Sequence, residues 1–246
     1  MSSIRFDPPL IAHRGASAFA PENTLSALLR AKELGATWVE FDVMLTADGE
    51  AVVIHDETLD RTTNGRGAVD QTTYLALAQL DAGSWFKPEF AGERVPLFRE
   101  VIAFLKEHQL SANVEIKGIA GQEEKTVIKV LAQMKECWTA DMPAPLISSF
   151  SMPILQLVRK LRPEALLGML IDEWFAGWGK MAEDLNPQVM NLNQVLMTPA
   201  LGVLFKKQQK LITCYTVNEP ARALELFAMG VDAVFTDNLV ELLAAL

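Results

Sequence analysis

Short apolar runs alternate with stretches of helical period along almost the whole chain. Residues 10–13 (Leu-Ile-Ala-His) read as a first strand, and Asn23 or Thr24 caps a helix that runs to Leu34 and stops at Gly35. Residues 38–45 form a second strand. Asp48-Gly49 follows it, a strong hairpin signal, and the apolar run ending at Ile54-His55 can return only antiparallel, because too few residues intervene for a crossover. Residues 56–94, rich in Gly, Thr and Asp, keep no clean period and predict a small insertion. Beyond them, Val101, Ile102 and Leu105 mark a helix over 97–108, followed by a strand at 112–117 and a helix over 123–136. Strands are then expected at 146–150, 166–171, 189–193, 211–217 and 233–236. The helices between and after them are expected after Pro153, over 174–185 and 199–210, from Asn218-Pro220, and over 239–246. Without the returning arm of the hairpin, eight strands alternate with helices, the pattern of a (β/α)8 TIM barrel. Residues 1–246 are expected to form one barrel domain, with 56–94 inserted in it.

Composition narrows the partners more than the fold. Half of the 246 residues are apolar (50%) and 22% are charged, enough for one large core. A net charge of −9 and the lack of a Lys/Arg cluster argue against nucleic acid or an anionic membrane as a partner, so local positive charge is to be sought in a site. No apolar run reaches spanning length, and residues 1–9 lack the apolar stretch of a signal peptide, so the cytoplasm is the expected location and no membrane insertion is expected. Cys137 and Cys214 have no motif spacing and read as buried thiols.

In a barrel of this kind chemistry sits at the C-terminal ends of the strands. His13 and Arg14 end the first strand, Glu40 and Asp42 share one face of the second, His55 ends the hairpin, and Glu115 and Lys117 end the next strand. A turn centred near Asp48 sets His55 opposite Asp42; one centred a residue earlier sets it opposite Glu40. In either register, carboxylates gather in strands apolar enough to be buried. Glu40, Asp42 and Glu115 are a hard-oxygen ligand set for Mg2+ or Ca2+. Arg14 and Lys117 are the cations expected of a phosphate clamp, and His13 and His55 can act as general acid and base.

Each residue also has a plainer reading. Acid-x-acid strands often form rim salt bridges, Glu115 and Lys117 alone suggest an exposed ion pair, and Asn23 reads first as a helix cap and second as part of a site. His108, in a helix tail, is expected to be a rim residue. The chain has only three histidines, however, and two fall at strand ends beside carboxylates.

The blocks His13-Arg14-Gly15, Pro21-Glu22-Asn23-Thr24, Glu40-Phe41-Asp42-Val43, Thr46-Ala47-Asp48-Gly49, His55-Asp56, Arg61-Thr62-Thr63-Asn64-Gly65, Glu115-Ile116-Lys117 and Tyr215-Thr216-Val217-Asn218 resemble, in order and spacing, the signature of the glycerophosphodiester phosphodiesterase family. The resemblance spans nearly the whole chain. It implies a phospholipase-C-like barrel with a small insertion after the second strand, a divalent metal held by Glu40, Asp42 and Glu115, and His13 and His55 as the acid/base pair. The implied reaction splits a glycerophosphodiester into sn-glycerol 3-phosphate and an alcohol, as in the bacterial cytoplasmic branch. A lysophospholipase D with a bulkier leaving group, and a non-catalytic barrel that binds glycerophospho headgroups, are the alternatives. Tyr215 stands where the family often has Trp, which bears on substrate fit.

Overall fold

The computed structural model describes residues 4–246. In chain order its elements are β1 (Leu10–Ala12), α1 (Leu25–Glu33), β2 (Trp38–Leu45), β3 (Ala51–Val53), α2 (Tyr74–Leu77), α3 (Phe98–His108), β4 (Ser111–Ile116) and α4 (Glu123–Cys137). They continue with β5 (Leu146–Ser149), α5 (Met152–Leu161), β6 (Leu166–Ile171), α6 (Trp178–Leu185), β7 (Val189–Asn193) and α7 (Pro199–Lys207). The last are β8 (Leu211–Tyr215), α8 (Pro220–Ala228), β9 (Ala233–Thr236) and α9 (Leu239–Ala245). All strands except β3 pair in parallel in the order β1-β2-β4-β5-β6-β7-β8-β9, and β9 closes on β1. The result is the expected (β/α)8 barrel, with β3 hung antiparallel on β2 outside the closure.

Burial explains the patterning. Every residue of β2 is buried, because its inner face lines the barrel and its outer face meets helices and the hairpin. Phe41 and Val43 join the apolar layer between barrel and helices, while Trp38 fills the barrel interior with Ile11, Leu146 and Val189. Phe6 packs on Trp38 at 4.9 Å, and the Trp38 Nε1–H donates to the Arg5 carbonyl at 2.8 Å. Further along the interior, paired polar groups replace apolar ones: Asn113 donates to Ser148 and Thr213 to Asn191.

Several element ends differ from the expectation. α6 starts at Trp178 rather than residue 174, since Gly177 sits at φ 83°, outside helical backbone. α7 stops at Lys207 because Gln209 turns left-handed (φ 57°), and β8 ends at Tyr215, two residues early. The hairpin register is also corrected. Val43 pairs with Val53 and Leu45 with Ala51, and the Ile54 N–H donates to the Asp42 carbonyl at 3.1 Å. This register lies midway between the two expected ones, because the turn over residues 46–50 has an odd number of residues. Thr46 N–H closes it on the Glu50 carbonyl at 3.0 Å. His55 therefore stands opposite neither Asp42 nor Glu40 across the ladder and is aimed by other contacts.

Residues 54–97 form short turns rather than long elements. Leu59, Val69, Leu77, Ala82 and Val95 gather into a small core on Met44, Val52 and Ile54, covering the outer side of the hairpin. The loop after β1 is equally tight. Gly15 holds φ 81°, and a Cβ there would lie 2.6 Å from the backbone carbonyl carbon of Ala27, whereas Gly35 (φ 94°) has open space around it. Gly35→Ala should cost only the left-handed strain, about 1–2 kcal/mol. Gly15→Ala adds a clash with backbone that cannot move aside, so it should lower the urea midpoint distinctly more. Equal losses for the two variants would count against close packing of α1 on this loop.

Candidate active site

Parallel pairing of β2 with β4 builds the centre of the site. The register sets Glu40 beside Asn113 and Asp42 beside Glu115, so the two-residue period of the strands turns all three acids toward the barrel mouth. Their oxygens lie within 4.8 Å of one another, and all three residues are buried. Burial first, then Asp42 and Glu115, push Glu40 well above the ordinary carboxylate value. Glu115 is pushed up to about 7 by burial and then by Asp42, against the pull of Lys117. Asp42 goes the other way. Burial opposes its charge, but Lys117 and Arg14 outweigh that and keep it ionised.

Arg14 and Lys117 do come to the acids. Arg14 sits in left-handed backbone (φ 54°), which turns its N–H onto Glu40 Oε2 at 2.9 Å. Its Nη1 donates to Glu22 at 2.8 Å, and its Nε, without a hydrogen-bond partner, lies 3.6 Å from Asp42. Lys117 Nζ donates to Glu115 at 3.0 Å and lies 3.4 Å from Asp42. Asn23 corrects the order of its two expected readings. Thr24 caps α1, accepting from the Ala27 N–H, while Asn23 turns left-handed (φ 58°) and donates to Asp42 Oδ2 at 2.9 Å. Three near carboxylates with hard oxygens and two cations between them suit a divalent ion, whose charge would relieve the repulsion that raises Glu40 and Glu115.

Each of the two mouth histidines is oriented by a carboxylate on Nδ1. For His13 it is Asp237, from the end of β9, at 2.7 Å; for His55 it is the adjacent Asp56, also at 2.7 Å. His13 Nε2 then lies 4.0 Å from Glu40. Burial, which favours the neutral ring, pulls the His55 imidazole down and outweighs Asp42, which favours the charged one. Asp237 is itself fixed, accepting from Ser17 and Asn218. Arg61 reaches both Asp56 and Glu22. A cavity of about 160 Å3 opens at the mouth, with His13, His55 and Glu115 on one side and an aromatic and aliphatic wall on the other. Tyr215 belongs to that wall, edge-on to Phe150 at 5.7 Å. His108 stacks on Phe104 at the far end of α3 and takes no part. Cys214 is buried, its thiol pushed up to about 12 by burial.

Asp56, Arg61, Ser17, Asn218 and Asp237 were not expected as site residues, and Glu22 only as part of a block whose second reading was a contribution to the site. Several stand inside or beside the quoted blocks, but no local pattern pairs Asp237 with a histidine 224 positions away.

Three buried acids, two oriented histidines and two cations at a barrel mouth are the equipment of an enzyme that works on a phosphate ester. Residues 13–241 match the model of the glycerophosphoryl diester phosphodiesterase family; the chain belongs to that family and is a phosphoric diester hydrolase. It is 38% identical over 238 residues to a glycerophosphodiester phosphodiesterase of Caldanaerobacter subterraneus subsp. tengcongensis, covering 93% of each chain. A solved Oleispira antarctica phosphodiesterase, in complex with the product sn-glycerol-3-phosphate, is similar with a TM-score of 0.93 and 36% identity, over 97% of this chain and 96% of that one. A glycerophosphodiester phosphodiesterase from Agrobacterium tumefaciens is similar with a TM-score of 0.81 and 29% identity, over 96% and 98% of the two chains. Among the described residues no helix is long and apolar enough to cross a membrane.

Burial works against the Asp237 charge, but the His13 contact and the hydrogen bonds from Asn218 and Ser17 hold its carboxyl below the usual range. A carboxylate lowered on folding stabilises fully above its unfolded value, about 3.9, and loses that contribution as the pH falls toward the folded value. Asp237→Asn should therefore be less stable than the parent at pH 7, on the order of 1 kcal/mol, with the gap narrowing below about pH 4. Urea unfolding at the two pH values measures it. A gap that widened in acid would reverse the assignment.

Proposed function

We propose that this hydrolase cleaves glycerophosphodiesters to sn-glycerol 3-phosphate and an alcohol, and that it needs Mg2+ or Ca2+ held by Glu40, Asp42 and Glu115. The observation that carries the reading is the register of β2 on β4, which packs three buried carboxylates within 4.8 Å between two histidines. Bound there, a divalent cation supplies charge stabilisation to the phosphoryl oxygens. The chain's own groups do the rest. Arg14 and Lys117 bind the phosphoryl group, Lys117 with a donor to spare beyond its two carboxylate neighbours. With Nδ1 of each imidazole engaged by an aspartate, His13 and His55 work through Nε2, one taking a proton from the attacking oxygen and the other giving one to the departing alcohol; the attacking oxygen is that of water, or that of the neighbouring glycerol hydroxyl, whose cyclic phosphate water then opens. The apolar wall of Phe150, Leu170 and Phe235 supports a second reading, in which a lysophospholipid is also cleaved. The free thiols suit the cytoplasm, to which we assign the enzyme.

Glycerophosphocholine and a lysophospholipid, assayed side by side with added Mg2+ or Ca2+, test the reaction and its scope. Chelation should stop turnover and lower the melting temperature. Glu115→Gln should weaken cation binding, followed by calorimetry, and cut the rate about 10-fold or more while the fold persists. Full turnover by thoroughly demetallated protein would overturn the metal site.

His13→Ala and His55→Ala should each cost about 10²- to 10⁴-fold in kcat. Because acid and base act in one displacement, the double variant should be little slower than either single one. His108→Ala should keep the parent rate. Fully multiplicative losses would separate the two histidines into independent roles.

A further inference from the structure

Arg61 lies in the segment between β3 and α3, outside the acid triad, yet its guanidinium makes four short hydrogen bonds at once. Nε and Nη2 donate to Asp56 at 2.7 and 2.9 Å. Nη1 and Nη2 donate to Glu22 at 2.6 and 2.8 Å. The same two carboxylates also hold site groups, through an oxygen that Arg61 shares: Asp56 Oδ1 holds His55 Nδ1 at 2.7 Å, and Glu22 Oε1 holds Arg14 Nη1 at 2.8 Å. One cation thus joins the hairpin arm that carries His55 to the β1–α1 loop that carries Arg14. We propose that Arg61 is a positioning residue of the reaction, through which the segment between β3 and α3 sets the orientation of His55 and Arg14 rather than only covering the hairpin.

The backbone around Arg61 is built to hold it. Leu59 is buried in the small core of the segment, and Thr63 Oγ1 donates to the Leu59 carbonyl at 2.7 Å. Asn64 is tied to Asp81 in both directions, its N–H to the Asp81 carbonyl and the Asp81 N–H to its Oδ1. Leu59 N–H closes the turn on the Gly67 carbonyl at 2.9 Å. The Arg-Thr-Thr-Asn-Gly block therefore has a physical reading: a fixed turn presenting one planar fork to two carboxylates. Without that fork, Glu22 and Asp56 would face each other with no cation between them. Their repulsion would act on the two groups they orient, and small displacements of reacting groups cost rate steeply. The hydrogen bond from Arg61 is also the main reason the Asp56 carboxyl lies below its usual range.

The competing reading is a surface ion cluster. Arg61 is 43% exposed, and exposed pairs add little to stability, so on that reading its loss would leave both fold and rate nearly unchanged. The inference rests on His55 and Arg14 acting in the proposed reaction, and the experiment separates the two levels. In purified protein with saturating Mg2+ or Ca2+, Arg61→Ala should lower kcat on glycerophosphocholine about 10- to 100-fold, as expected for a group that orients another, with the melting temperature little changed. Arg61→Lys, which cannot bridge two carboxylates with a planar fork, should recover only a small part. Guanidinium ion at millimolar concentration, far below denaturing levels, should restore part of the rate of Arg61→Ala, and methylammonium should not. In a His55→Ala background, Arg61→Ala should cost less than it does in the parent, because one of the two groups it positions is already gone. Parent-like kcat in Arg61→Ala, undiminished losses in the His55→Ala background, or a rate loss that tracks unfolding would each overturn the inference. If His55→Ala itself kept full activity, the proposed reaction would fail instead.

Discussion

Three carboxylates in a buried corner need positive charge, and the mouth of this barrel is arranged around that need. Asp42 and Glu115 are neighbours because β2 and β4 pair in register, and Glu40 joins them because it lies one strand period behind Asp42. Arg14 and Lys117 supply charge from two sides, yet Glu40 and Glu115 still lie above the ordinary carboxylate range. The protein thus builds a local electrostatic deficit that a divalent ion would remove, on strands whose remaining side chains are mostly packed apolar residues. A rigid barrel is a suitable carrier for such a site, since the strands cannot relax to separate the charges without opening the sheet.

Around this centre, orientation comes from carboxylates of a second kind. Asp237 and Asp56 engage the Nδ1 atoms of His13 and His55, and Glu22 engages Arg14. These acids differ from the triad in having dedicated partners, and Asp56 and Asp237 stay below the usual range where Glu40 rises above it. In the triad, Glu40 and Glu115 are left short of positive charge; Asp56 and Asp237 are satisfied by the hydrogen bonds they accept. That division separates groups able to take a metal from groups able only to hold a side chain in place.

The mouth is also divided by polarity. Apart from Asp237 after β9, the charged groups come from strands β1 to β4, the hairpin and their loops, whereas the ends of β5 to β9 contribute Phe150, Leu170, Tyr215 and Phe235 to the lining.

Much of this was legible before any coordinates. The eight-strand count, the buried acids of β2 and β4, and the placing of His13 and His55 at strand ends follow from alternation and helical period, which act between residues close in the chain. The hairpin register was not legible, because it depends on an odd-numbered turn whose closure by Thr46 is a matter of geometry. Nor was the role of Asn23: at a helix start, a capping side chain and one turned back to Asp42 look alike, and only the left-handed backbone distinguishes them. Asp237 reaches His13 because β9 closes beside β1, and Arg61 reaches Glu22 because residues 54–97 fold back over the hairpin. The sequence by itself determined which groups face the mouth, since side-chain direction is a local property of a strand. Only the tertiary structure decided which of those groups hold one another, since the partners meet only when the barrel closes and distant strands become neighbours.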